Sequence, residues 1–121
     1  MFSDKFLDHF EHPRHAGELP APAVTIEVSN PACGDVMRLA ALVENDRVSE
    51  VRYQVRGCTA SIAAGSALTE LMQGQALDAI KRLKASQIED ALGGLADASK
   101  HAGILCIDAV KALLRKLPPD R

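Results

Sequence analysis

The three cysteines of the chain are the residues whose neighbourhoods first indicate chemistry. Cys33 lies in the Pro- and Gly-containing segment 30–35, Cys58 follows a glycine, and Cys106 lies in the last quarter of the chain. An odd number of cysteines, without an export signal over residues 1–5, argues against a disulfide framework. The thiols could therefore be small core residues, metal ligands or reactive thiolates.

Composition and charge exclude several classes of protein. The 121 residues are 47% hydrophobic and 25% charged, with a formal net charge of -2. The length is typical of a single domain, here residues 1–121, and no apolar run is long enough to cross a membrane. The charge balance offers no basic surface for the phosphates of nucleic acid. We therefore expect a cytoplasmic domain that binds neither nucleic acid nor membrane, as a monomer or weak homodimer.

Hydrophobic periodicity predicts the elements that must position these residues. Residues 2–12 carry apolar side chains at helical spacing, and we expect this amphipathic helix to dock on the core. Apolar and polar residues then alternate over 24–28, 37–43 and 51–55, which predicts three strands. Because their connecting segments are short, neighbouring strands should be antiparallel and form a meander.

The second half of the chain has helical spacing. A helix should begin at Thr59, and Ser86 with Glu89 resembles a capping box for a later one. A last helix is expected from about residue 97 to 116. Strands followed by helices predict an α+β fold, with a three-stranded antiparallel sheet and helices packed on one face.

The predicted meander places Cys33 and Cys58 at the same edge of the sheet. The turn that contains Cys33 joins the first two strands, and the third strand returns to that edge and ends at Cys58. Cys58 also precedes a helix, whose free N–H groups and dipole stabilise a thiolate. Asp35 could supply an oxygen ligand, or could form an Asx turn that only stabilises the loop.

The last helix offers two further candidate ligands. His101 lies near its start, beside an apolar stripe that includes Cys106. Taken alone, His101 is more typical of a surface histidine, and Cys106 is more typical of a small core residue. Two thiols with a carboxylate and a histidine or third thiol could hold zinc or an iron–sulfur cluster.

Three segments in the expected order give the chain a family resemblance. Residues 30–35 are Asn-Pro-Ala-Cys-Gly-Asp, and residues 56–66 are Arg-Gly-Cys-Thr-Ala-Ser-Ile-Ala-Ala-Gly-Ser. Residues 6–17 resemble an N-terminal helix and the turn after it, with His15 where asparagine is usual. Over nearly its whole length the chain resembles the iron–sulfur cluster assembly scaffold family, of the IscU and NifU N-terminal type.

The resemblance implies a non-enzymatic carrier with a three-stranded antiparallel sheet. Such a scaffold accepts sulfur from a cysteine desulfurase, binds iron and transiently builds a [2Fe–2S] cluster, which it delivers to recipient apo-proteins. By position, Cys33 and Cys58 would be cluster ligands and sulfur acceptors. Asp35 would keep the cluster labile, because an oxygen ligand weakens retention in a set of thiolates.

The chain departs from the family pattern in two places. The family's third cysteine follows a histidine near the start of the last helix, but here Ala102 follows His101. Cys106 lies on the same stripe, about 6 Å further along the helix axis, and is a candidate for the missing ligand. A chaperone-binding stretch of some members is replaced by Leu-Ala-Asp-Ala-Ser at 95–99, so we expect no Hsp70-type chaperone to bind through it.

Three functions remain open from the sequence. The first is a scaffold or sulfur carrier that uses Cys33 and Cys58, with Asp35, His101 or Cys106 completing the ligand set. The second is a zinc-binding sulfur-transfer protein that accepts persulfide in the same pocket, because zinc and iron accept the same ligands. The third is a degenerate scaffold that acts as an interaction module, which the alanine after His101 favours.

Overall fold

The computed structural model describes residues 2–31 and 34–118 of the chain. Its elements, in chain order, are α1 (Asp4–Glu11), β1 (Val24–Ser29), β2 (Val36–Glu44), β3 (Arg47–Arg56), α2 (Thr59–Met72), α3 (Leu77–Lys81), α4 (Ala85–Ala91) and α5 (His101–Lys116), with a 3-10 turn at Asp97–Ser99. None of the helices in these ranges has the length and apolar character needed to cross a lipid bilayer.

The three strands form an antiparallel sheet in the order β1-β2-β3, which confirms the predicted meander. Ile26 lies opposite Leu39, and Leu39 lies opposite Tyr53; all three are buried on the inner face. Asn45 and Asp46 join β2 to β3 with positive φ angles, the backbone twist that suits a two-residue hairpin. The outer face carries exposed polar side chains: Thr25, Glu27, Arg38 and Gln54.

Helices α2 and α5 pack on the inner face of the sheet, so the predicted α+β class is confirmed. α2 is the central helix, because it contacts β3 and also α1, α4 and α5. A helix buried on so many sides needs small side chains where its neighbours approach closely. Its small buried residues without a polar side chain are Ala60, Ala63, Ala64, Gly65 and Ala67.

Helix α1 docks on α2, as its amphipathic pattern predicts. Phe6 is only 1% exposed, and the buried His9 places its Nδ1 2.7 Å from the hydroxyl oxygen of Ser66 in α2. Burial lowers the pKa of His9, because the imidazolium would lose its hydration. The large apolar side chain of Leu7 in α1 remains exposed, and so does that of Phe2, which precedes α1 and stacks on the ring of Phe6.

Two predicted helix starts are wrong. α4 begins at Ala85, where the backbone N–H of Lys84 donates to Oε1 of Gln87 at 2.9 Å. This hydrogen bond sets the start of the helix before Ser86, so Ser86 and Glu89 do not form the capping box. The last helix begins at His101 and not near residue 97, because residues 97–99 form a 3-10 turn with hydrogen bonds over three residues.

Tyr53 sets the separation between β3 and α2. Its hydroxyl donates to the carbonyl of Ile62 at 2.7 Å, and its ring lies over Gly65. A Cβ at Gly65 would come within 2.3 Å of the ring, so only glycine fits this contact. Burial raises the pKa of Tyr53 to about 12, and the phenol therefore remains a protonated donor at neutral pH.

We expect Gly65→Ala to destabilise the fold by about 1–3 kcal/mol, the usual cost of overpacking, because the ring of Tyr53 would have to move. Gly103→Ala is the matched control: its new Cβ would lie 3.5 Å from Cβ of Ala85, an ordinary contact. Alanine within a helix is also more favourable than glycine by up to about 1 kcal/mol. Urea unfolding followed by circular dichroism measures the stability of both variants. Equal unfolding midpoints for Gly65→Ala and Gly103→Ala would contradict the expectation.

Candidate metal centre

Asp35 is brought into position by the turn that precedes β2. The N–H of Gly34 donates to the carbonyl of Asn30 at 2.7 Å, and the N–H of Asn30 donates to the carbonyl of Asp35 at 2.9 Å. Gly34 has a φ of 77°, a left-handed conformation that glycine adopts without a steric cost. The side chain of Asp35 is buried, and its Oδ1 accepts the backbone N–H of Cys58 at 3.3 Å.

Cys58 occupies the N-cap position of α2 and is exposed at the edge of the sheet. Its Sγ lies 3.2 Å from Oδ2 of Asp35, which places Cys58 beside the end of the β1–β2 turn. Cys58 precedes the free N–H groups at the start of α2, but its side chain forms no capping hydrogen bond with them.

His101 is the first residue of α5 and presents the third ligand atom. Its Nδ1 lies 3.1 Å from the carbonyl oxygen of Ala98. A carbonyl can only accept, so in the neutral ring Nδ1 carries the proton and Nε2 carries the lone pair. That Nε2 faces Sγ of Cys58 and Oδ2 of Asp35, each at 3.5 Å.

The three atoms form a triangle that fits the coordination of one metal ion. Oδ2 of Asp35, Sγ of Cys58 and Nε2 of His101 are separated by 3.2, 3.5 and 3.5 Å. Tetrahedral sites with bonds of about 2.1–2.3 Å have ligand atoms about 3.4–3.8 Å apart. These residues also form the group of potential metal ligands found in the described ranges. These three atoms could therefore coordinate a single tetrahedral cation with little movement of their side chains.

Comparison with known proteins identifies the family of the chain. The family model described as NifU-like N terminal domain matches residues 1–119. The chain belongs to this family. The iron-sulfur cluster assembly scaffold protein IscU of Azotobacter vinelandii is 41% identical over 118 residues, covering 94% of this chain and 91% of that protein. IscU 1 of Archaeoglobus fulgidus is 34% identical over 111 residues, covering 92% of this chain and 72% of that protein.

A solved structure shows the same fold. The N-terminal NifU-like protein from Brucella abortus superposes with a TM-score of 0.76, at 17% sequence identity, over 93% of this chain and 91% of that chain. The sequence-based resemblance to the scaffold family and the α+β class are thus confirmed.

Cys33 and Cys106 are the two candidate ligands that are not in the triangle. Cys33 lies outside the described residues, so its ligand role stays a prediction. Cys106 is fully buried in α5, and burial raises the pKa of its thiol, which opposes the thiolate that a metal requires. Cys106 lies one helical turn after Ala102 and is buried in the core. It is not part of the group formed by Asp35, Cys58 and His101. These observations do not favour Cys106 as a replacement for the cysteine absent at position 102, and its ligand role stays a prediction.

Two further residues shape the site and were not singled out from the sequence. Gly57 lies against Asp35, and a Cβ there would come within 2.5 Å of Cγ of that side chain. Ser61 is fully buried and donates its hydroxyl to Oδ2 of Asp35 at 2.6 Å. The available signal for Ser61 was a polar residue three positions after Cys58, a spacing that places both side chains on the same face of the helix.

Gly57→Ala should lower the affinity for a divalent cation by about 10-fold or more, because the new methyl group displaces the carboxylate of Asp35. Titration of the folded variant with cobalt(II), followed by visible absorption, measures this loss. Gly103→Ala again serves as the control that adds a methyl group without a clash. Unchanged cobalt affinity in Gly57→Ala would show that the close approach to Asp35 has no part in metal binding.

Cys106→Ala should leave the metal affinity unchanged and cost stability alone, on the order of 1 kcal/mol for a buried side chain. Cys58→Ser, measured beside it, should reduce cobalt binding and weaken the sulfur-to-metal charge-transfer band. A drop of about 10-fold in the affinity of Cys106→Ala would restore its role as a ligand.

Proposed function

We propose that this chain is a scaffold on which iron–sulfur clusters are assembled and from which they are passed on. The observation that carries the proposal is the triangle formed by Asp35, Cys58 and His101, whose spacing suits a tetrahedral iron. Membership of the NifU-like N-terminal domain family supports it, as do the names of the Azotobacter and Archaeoglobus relatives. In this proposal iron and sulfide are cargo, and the chain itself catalyses no turnover of a substrate.

Cys33 completes the proposed ligand set. Two residues of chain span at most about 7 Å, so a cysteine two positions before Asp35 is within reach of the triangle. A [2Fe–2S] cluster takes four protein ligands, two on each iron. Cys33, Asp35, Cys58 and His101 supply that number without Cys106.

The mixed ligand chemistry suits cargo that must be released. Thiolates hold iron strongly, whereas the carboxylate oxygen of Asp35 is a harder and weaker ligand in the same set. Cys58 is exposed, and the side chain of His101 is 29% exposed, so another protein can touch the ligands directly. We infer that a recipient apo-protein removes the cluster by ligand exchange at this open edge.

Sulfur would arrive as the persulfide of a cysteine desulfurase. The thiolate of Cys58 attacks the terminal sulfur of that persulfide, the S–S bond breaks, and the cysteine of the desulfurase leaves as a thiolate. The transferred sulfur is then held as a persulfide on Cys58, with no net oxidation or reduction. Its incorporation into a cluster as sulfide takes two electrons, which the excess thiol of the reconstitution mixture supplies. Exposure of Cys58 at the start of α2 favours this step, because the incoming cysteine must reach its sulfur.

The test is reconstitution under anaerobic conditions. The purified chain is analysed for zinc and iron, then incubated with ferrous iron, cysteine and a cysteine desulfurase. We expect sulfur-to-iron charge-transfer absorption at one cluster per monomer or dimer, which Cys58→Ser should abolish and the control Cys106→Ala should retain.

Two outcomes would contradict the scaffold function. Stoichiometric zinc that iron cannot replace would favour the zinc-dependent sulfur-transfer alternative. Failure to bind either metal would favour an interaction module.

A further inference from the structure

Ser61 is a buried polar residue whose hydroxyl faces the metal centre. It lies in the first turn of α2, is completely shielded from solvent, and places Oγ 2.6 Å from Oδ2 of Asp35 and 3.4 Å from Sγ of Cys58. A buried hydroxyl is stable only where it forms a hydrogen bond. The short bond to the carboxylate satisfies this requirement and is of the strong, charge-assisted kind.

Metal binding would change the contacts that the Asp35 carboxylate makes with the side chains of Cys58 and His101, but not its hydrogen bond from Ser61. The Sγ of Cys58 donates to Oδ2 as a thiol, but as a metal-bound thiolate it has no proton to donate. Nε2 of His101, 3.5 Å from Oδ2, would direct its lone pair to a bound metal. The N–H of Cys58 still donates to Oδ1, at the longer distance of 3.3 Å. The Ser61 hydroxyl would therefore still be able to donate to Oδ2 when a metal is bound.

We propose that Ser61 is a positioning residue of the metal centre. Its hydroxyl occupies one lone pair of Oδ2 and holds the carboxylate of Asp35 so that the other lone pair faces the metal, next to Cys58 and His101. The inference rests on the proposed function for the identity of the cargo, although binding of a single cation tests it separately. Partners that orient a metal ligand typically change affinity by about 10–100-fold when removed.

Helix α2 contains a matched control for this role. Ser66 is also fully buried, and its hydroxyl oxygen lies 2.7 Å from Nδ1 of His9 and 2.9 Å from the backbone nitrogen of Arg14. These contacts dock α1 and the segment after it, and no hydrogen bond joins Ser66 to the ligands among the described contacts. Removing its hydroxyl therefore disturbs the core of the same helix without touching Asp35.

The experiment titrates the full chain with cobalt(II) and compares Ser61→Ala, Ser66→Ala and Ser61→Thr. We expect Ser61→Ala to weaken cobalt binding by about 10-fold or more and to shift the ligand-field absorption bands, because the oxygen ligand is no longer held. Ser66→Ala should lower the unfolding midpoint and leave cobalt affinity unchanged. Ser61→Thr retains the hydroxyl and should bind as the unsubstituted chain does.

Three results would overturn the role of Ser61. They are unchanged affinity in Ser61→Ala, an equal loss in Ser61→Ala and Ser66→Ala, or a loss in Ser61→Thr as large as that in Ser61→Ala. If Ser61→Ala does not fold, Ser61→Thr decides: affinity equal to that of the unsubstituted chain supports the role, and a tenfold loss overturns it.

Cluster reconstitution on the unsubstituted chain separates this inference from the proposed function. Cobalt binding without cluster formation would contradict the scaffold function alone. Cluster formation, together with unchanged cobalt affinity in Ser61→Ala, would contradict the positioning role alone.

Discussion

The buried carboxylate of Asp35 joins the turn before β2 to the first turn of α2, and the candidate metal centre depends on this link. Burying a carboxylate is costly unless hydrogen bonds replace its hydration, and here the N–H of Cys58 and the hydroxyl of Ser61 do so. Gly57 leaves the space that the side chain needs. The conformation of the turn before β2 and the position of the Cys58 sulfur therefore depend on each other through Asp35.

The rest of the fold holds the two sides of this link in place. The antiparallel register places Val36, next to Asp35, opposite Arg56, two residues before Cys58. Tyr53 sets the distance from β3 to α2 through its hydrogen bond to α2 and its contact with Gly65. The sheet and α2 thus determine where Asp35 and Cys58 lie. Because these elements are rigid, metal binding requires little movement of the two ligands.

A site built in this way combines retention with release. Sulfur and imidazole ligands suit iron, while a carboxylate oxygen weakens the hold of the set. Asp35 is shielded from solvent, whereas Cys58 is exposed, so one side of the triangle is fixed in the protein and the other is open to a partner. This arrangement is what the proposed transfer of a cluster by direct contact requires.

The amino-acid sequence by itself determined the strands, the meander and the order of the helices, because periodicity and short connections are local properties. It also indicated that Cys58 lies beside the β1–β2 turn. Only the tertiary structure decided that Ser61 bonds to Asp35, that Gly57 must lack a side chain, and that Cys106 belongs to the core. These outcomes depend on differences of a few ångströms between elements distant in sequence, and hydrophobic patterning specifies which face is buried without specifying such distances.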